Sequence, residues 1–195
     1  MSRTVNEQRP AELTEAILEY LIQHGIADLS LRPLAKAIGS SPRVLLYYFG
    51  SKEKMVVTLL AELRERQRAS WGQLRADTYA EVCRAIWKQM STAESIEHFR
   101  LYFEAYGLAL RRPLLYKDFL SATIDDWIDM VAEQLLTEGM KRLQARAFAT
   151  VMLAGFRGFM LDLCTTGDRK RVNAGVNMWL ESLDSMATQK SGGAR

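Results

Sequence analysis

Between Ser30 and Lys54 the chain runs Ser-Leu-Arg-Pro-Leu-Ala-Lys-Ala-Ile-Gly-Ser-Ser-Pro-Arg-Val-Leu-Leu-Tyr-Tyr-Phe-Gly-Ser-Lys-Glu-Lys, and few local structures suit it. Ser30 stands where a helix N-cap is wanted, with a hydroxyl expected to accept a free amide of the opening turn. Pro33 falls in that first turn, where a missing N–H costs little. Leu34 and Ile38 then share one face, being four residues apart. Gly39 follows where a helix ends in a left-handed residue. Ser41 and Pro42 supply a second cap and a favoured first helical residue. Leu45 and Phe49 repeat the apolar spacing, while Arg43, Val44, Tyr47 and Tyr48 lie off it. Gly50 closes this helix and Ser51 opens another. Two short helices across a turn of about three or four residues form the helix-turn-helix pattern.

The charge of this stretch is one-sided. Arg32, Lys36, Arg43, Lys52 and Lys54 face a single acid, Glu53. Cations beside helix N-termini suit phosphate, because free N–H groups and the helix dipole also favour an anion there. A plain helical hairpin with a solvated basic face is the alternative; the serine caps and off-face tyrosines argue against it.

Residues 10–65 or so resemble the DNA-binding domain of the tetracycline-repressor (TetR) family of bacterial transcription regulators. Leu34-Ala35-Lys36-Ala37-Ile38-Gly39-Ser40-Ser41 and Leu45-Leu46-Tyr47-Tyr48-Phe49-Gly50-Ser51-Lys52-Glu53 carry the likeness, with both helices, the turn and the Ser-Lys-Glu in register. Leu46 departs from it, standing where many members have tyrosine, and Tyr47 is the expected substitute for that tyrosine's backbone contact. The resemblance implies an all-α chain of about nine helices. Residues 1–55 would form the helix-turn-helix domain and residues 56–195 a larger ligand-binding and dimerisation domain. It implies a homodimer joined through the two C-terminal helices and a semi-palindromic double-stranded DNA operator. Arg43, Val44 and Tyr48 would reach base edges, and Ser30, Arg32, Ser40, Ser41, Tyr47 and Lys52 would line or hold the backbone.

The remainder of the chain keeps helical periodicity. Pro10 opens a first helix with Leu13, Ile17, Tyr20 and Leu21 inward, ending at Gly25. Lys52 begins a long helix with Met55, Val56, Leu59, Leu60 and Leu63 on one side and a solvated end from Arg64 to Arg68. Further helices are expected over 80–90, 92–110, 115–138, 144–165 and 169–187, the second with Ile96, Phe99, Phe103, Tyr106 and Leu110 as its stripe. Pro113 separates it from the next. The tail from Lys190 is expected to be disordered. In the 144–165 helix Ala147, Val151, Ala154, Gly155 and Gly158 fall partly on a different face from Phe148, Phe156 and Phe159, as a close helix–helix interface would want.

A length of 195 residues, 48% apolar and 25% charged, fits an ordinary globular protein able to bury a core, and a net charge of +3 argues nothing about nucleic acid unless concentrated locally. Cys83 and Cys164 are far apart, without metal-ligand spacing, and fit free thiols in a reducing cytoplasm. No apolar run reaches the roughly 18 residues of a membrane span, and no signal segment opens the chain. His98 lies one turn from Glu94 and Tyr102, which is no metal site. Glu97, Arg100 and Glu104 have the spacing of helix-surface ion pairs. With no phosphate loop or nucleophile motif, neither catalysis nor a metal or other cofactor is expected.

A ligand pocket is the more plausible chemistry. Trp87, Phe99, Tyr102, Phe103, Tyr106, Trp127, Met152, Phe156 and Phe159 could surround one cavity, since aromatic and methionine side chains line adaptable apolar sites; an ordinary core is the competing account. The expectation is a cytoplasmic, effector-responsive DNA-binding regulator, a repressor released by a small and largely apolar molecule. The alternative is a helical small-molecule-binding or protein-interaction dimer whose helix-turn-helix no longer reads DNA.

Overall fold

A computed structural model describes residues 9–71, 79–137 and 139–188. Among these residues the chain is all-α, with nine helices and no strand: α1 (Arg9–His24), α2 (Leu31–Ala37), α3 (Pro42–Phe49), α4 (Lys52–Trp71), α5 (Tyr79–Met90), α6 (Ala93–Arg111), α7 (Pro113–Thr137), α8 (Arg142–Thr166) and α9 (Arg169–Thr188). The expected disordered tail, and residues 1–8, lie outside the described residues.

Local chemistry explains most of these ends. Ser41 caps α3, its hydroxyl accepting from Val44 N at 3.3 Å, and Ser51 caps α4 through Lys54 N at 3.1 Å. Thr92 accepts from Ser95 N at 3.2 Å ahead of α6, and Asp168 from Arg171 N at 3.1 Å ahead of α9. Ser30 differs from expectation. It occupies the N-cap position of α2 with an extended backbone, but its hydroxyl makes no cap hydrogen bond, and only its carbonyl enters the helix ladder.

The described chain falls into two compact units, residues 1–66 with 100–121, and residues 67–99 with 122–195. Helices α4, α6 and α7 each contribute residues to both.

In the first unit Ile17, Leu18 and Leu21 of α1, Leu34 and Ala35 of α2, Leu45 of α3 and Met55, Val56, Leu59, Leu60 and Leu63 of α4 are all buried. The α6 stripe needs correction. Its buried residues are Leu101, Tyr102, Ala105 and Ala109, whereas Leu110 is 87% exposed and Phe103 and Tyr106 are half-buried. Ring size marked the wrong meridian, since the buried face runs through Leu101, Tyr102 and two alanines. The α4 end is solvent-exposed at Glu65, Arg66 and Arg68, as its charges suggested, and it is also ion-paired. Arg66 holds the Glu15 carboxylate of α1 in a two-pronged pair, at 3.1 and 2.7 Å, and also reaches Glu62 at 3.2 Å.

The core of the second unit is aromatic. Phe156 of α8 sits at 6.3 Å from Trp87, 6.2 Å from Trp127 and 5.2 Å from Trp179, between centroids. Phe159 adds contacts to Trp87 and Trp179, and the Trp87 indole N–H donates to Asn173 Oδ1 at 2.9 Å. Such ring pairs add about 0.5–1.5 kcal/mol each beyond the area they bury. Helix α8 also has the length and apolarity of a membrane-crossing helix, with a mean hydropathy of 1.5 over its best window, which a search for uninterrupted runs overlooks. Its buried face, Ala145, Ala149, Met152, Phe156, Met160 and Leu163, is that of a core helix.

Candidate nucleic-acid interface

The turn between α2 and α3 sets how α3 is presented. Ser40 N donates to Ala35 O at 2.8 Å and Gly39 N to Lys36 O at 3.3 Å, the two bonds of a Schellman ending. Gly39 takes φ +65°, which a β-carbon would disfavour. The chain therefore turns at once and enters α3 through the Ser41 cap. Leu45 anchors α3 from beneath, leaving the opposite edge in solvent.

That edge carries Arg43, exposed, Leu46, 42% exposed, and Tyr47, 78% exposed. Val44 and Ser40 are half-buried beside it, and Ser30, Arg32 and Ser41 are exposed at the ends of the two helices. Tyr48 is half-buried and meets Tyr47 edge-on at 5.3 Å, so of the two tyrosines Tyr47 has the reach. Lys52 is half-buried, its ammonium donating to Leu29 O at 3.0 Å. This fixes the strand of chain leading into α2 and leaves two further ammonium protons.

Behind the edge lies an open groove of about 610 Å³, bounded by Tyr48 and Phe49 of α3, Glu53 and Lys54 of α4, and Leu114 and Phe119 of α7, among others. Arg112 approaches Glu53 at 3.8 Å. The nine aromatic and methionine residues expected around one cavity are divided between the units. Tyr102, Phe103 and Tyr106 belong to the first; Trp87, Phe99, Trp127, Met152, Phe156 and Phe159 belong to the second. Tyr102 donates its hydroxyl to Leu60 O at 3.2 Å and stacks on Phe119, and burial pushes its ionisation far above the usual tyrosine range. In the second unit Met152 has no exposure and the rings of Trp87, Trp127 and Phe156 pack on one another. Among the described residues no group of three or more His, Cys, Asp or Glu is placed to hold a metal ion.

The expected helix-surface role of Glu104 needs correction. Its carboxylate is not engaged in a helix-surface pair: Ile26 N and Ala27 N donate to Glu104 Oε2 at 2.6 and 3.1 Å. Its partners are backbone amides of the α1–α2 turn, some 77 residues away, and no side-chain spacing signals them.

Residues 13–59, which contain this helix-turn-helix, match the family described as bacterial regulatory proteins, tetR family. These residues are a DNA-binding domain of the TetR type. Over 186 residues it is 25% identical to the HTH-type transcriptional regulator BetI of Rhizobium meliloti (strain 1021), spanning 94% of this chain and 79% of that one. The likeness in fold extends through the second unit. A transcriptional regulator from Rhodococcus sp. Rha1 superposes with a TM-score of 0.76 at 16% identity, covering 90% of this chain and 95% of that one. A transcriptional regulator from Saccharomonospora viridis, solved in complex with choline, gives a TM-score of 0.69 at 14% identity over 90% and 97% of the two chains. The matched head and the relative spanning most of the chain support a transcriptional regulator of the TetR type.

Proposed function

We propose that this TetR-family regulator is a cytoplasmic homodimeric repressor that holds a semi-palindromic operator until a small, largely apolar effector binds. The exposed edge of α3, with Arg43 and Tyr47 standing out from a serine-capped, Schellman-turned helix pair, is the observation that carries the reading. An edge of this kind lies in the major groove, where arginine forms paired hydrogen bonds with guanine and apolar groups meet the thymine methyl. Arg43 and Val44 read bases, with Leu46 as an apolar contact. Tyr47, Ser30, Arg32, Ser40 and Ser41 take the backbone, joined by the free protons of Lys52. Tyr48, less exposed than Tyr47, reaches bases only at the margin of the contact.

Dimerisation is supported by α8 and α9. Leu143, 85% exposed, Val151, Leu161 and Met178 leave apolar side chains in solvent, with Ala147, Ala154 and Gly158 exposed along the same helix. A self-complementary pairing of two copies would cover them and present two reading heads about one DNA turn apart. The choline held by the Saccharomonospora viridis relative supports an organic effector. Effector binding then tilts α4, through a coupling of about 1–3 kcal/mol, and separates the heads.

The test is fluorescence anisotropy of the purified protein against duplexes selected from a random library. Selective binding that weakens steeply with salt is expected, and Arg43→Ala should cost about 1–3 kcal/mol on the selected site while sparing random DNA. Indifference to all duplexes at low ionic strength would sink the proposal.

A further inference from the structure

The α1–α2 turn is tied to a distant helix by one side chain. Glu104, half-buried on α6, accepts hydrogen bonds from the amides of Ile26 and Ala27 through the same carboxylate oxygen, at 2.6 and 3.1 Å. The turn is shaped to receive it. Gly25 adopts φ +72°, and a β-carbon built there would lie 2.8 Å from Glu104 Oε1, so glycine suits both the backbone and the approaching carboxylate. Two residues before Glu104, Tyr102 donates to Leu60 O of α4. Helix α6 is therefore bonded to α4 and, separately, to the turn that leads into α2. Its first turns, residues 93–99, belong to the second unit, while Glu104 belongs to the first.

Charged acceptors of backbone amides are among the stronger hydrogen bonds, and this pair acts on the segment that carries Ser30 and the Lys52-anchored Leu29 carbonyl. We propose that Glu104 is a positioning residue through which α6 sets the attitude of the helix-turn-helix, giving the regulator a route from effector to DNA beside α4. The inference rests on the DNA-binding reading above. It requires that the link be reciprocal: DNA held by the reading head must in turn stiffen α6.

This reciprocity allows a test without the effector. Hydrogen exchange is followed in the full-length protein, with and without the duplex that the wild type selects from a random library. In the wild type, DNA should slow exchange in residues 100–111 as well as in 42–49. In Glu104→Ala the slowing in 42–49 should persist at saturating DNA, the slowing in 100–111 should vanish, and affinity should fall about tenfold. Glu104→Gln should restore most of both, since one amide oxygen can accept the two N–H groups. A purely structural contact would lower the melting temperature and leave the DNA-induced change in α6 intact. That result, or an unchanged affinity in Glu104→Ala, overturns the proposal. Glu104→Met, which keeps bulk without an acceptor, replaces the alanine variant if that unfolds; unfolding of both beside a native glutamine variant would mark a folding contact only and also overturn it. Failure of the wild type to bind any duplex sinks the DNA reading and this inference together, whereas binding with unaltered variants sinks this inference alone.

Discussion

In the second unit three indole rings, from α5, α7 and α9, converge on Phe156, whereas the two helices of the helix-turn-helix bury only Leu34, Ala35 and Leu45. One region is held by large surfaces meeting from far apart in the chain. The other is held by caps, a left-handed glycine and single bonds such as Lys52 to Leu29 O. The contrast follows from what each must do. A head that lays short helices into a groove keeps its polar edge outward and has little apolar area to bury. Its shape is therefore set by directional bonds, each worth about 1 kcal/mol, added to the small buried set of Leu34, Ala35 and Leu45.

The sharpest way to break the comparison is Phe156→Ala. Removing the ring at the centre of the cluster should cost about 3–5 kcal/mol and lower the melting temperature markedly, while leaving DNA affinity per folded dimer unchanged. Loss of DNA affinity at full folding would show that the cluster also shapes the head. Gly155→Ala comes next. A β-carbon there would lie 2.2 Å from Trp179 Cζ2, and that indole is itself wedged against Phe156 and Phe159. Overpacking should cost about 1–3 kcal/mol in a denaturant titration, and Trp179→Leu in the same chain should relieve much of it.

Ser41→Ala probes the other region. It should lower stability by only about 1 kcal/mol, with the loss of amide protection confined to residues 42–49 rather than spread over the unit. The smallest effect is expected at the surface of α8 and α9. There Arg171 holds Asp162 in a two-pronged pair, at 2.8 and 2.7 Å, and its guanidinium keeps the Asp162 carboxyl below the usual range. A depressed folded-state value means that the contribution is complete above the ordinary carboxylate range and fades as pH falls below about 4. Arg171→Ala should therefore narrow the gap between melting temperatures at pH 7 and pH 3 slightly, and a pH-independent change would contradict the assignment.

The same contrast explains what the sequence made legible. Ser41, Gly39, Ser51 and the start of α4 at Lys52 follow from neighbours within a few residues, and the structure has them as read. Ser30 shows the limit even there, since its position is right but its hydroxyl is not used as a cap. The face of α6 could not be read from ring size, because two of its four buried residues, Ala105 and Ala109, are small. Glu104 was legible only as a charge among charges, its partners being amides that no side-chain pattern displays. The aromatic residues of α5, α7 and α8 were visible, but which of them would meet, and that Trp179 joins them, depends on tertiary placement.

Helices α4, α6 and α7 each serve both compact units, and this bears on how such a regulator can be re-engineered. A head cut free after α4 would lose Tyr102, Phe119 and Glu104, and with them the cover over Leu60 and the clasp on the α1–α2 turn. Grafting this specificity onto a foreign sensor therefore calls for transplanting residues 100–121 along with 1–66. The transferable cassette is discontinuous in sequence, and a chimera spliced at a single junction should be expected to bind DNA loosely or not fold.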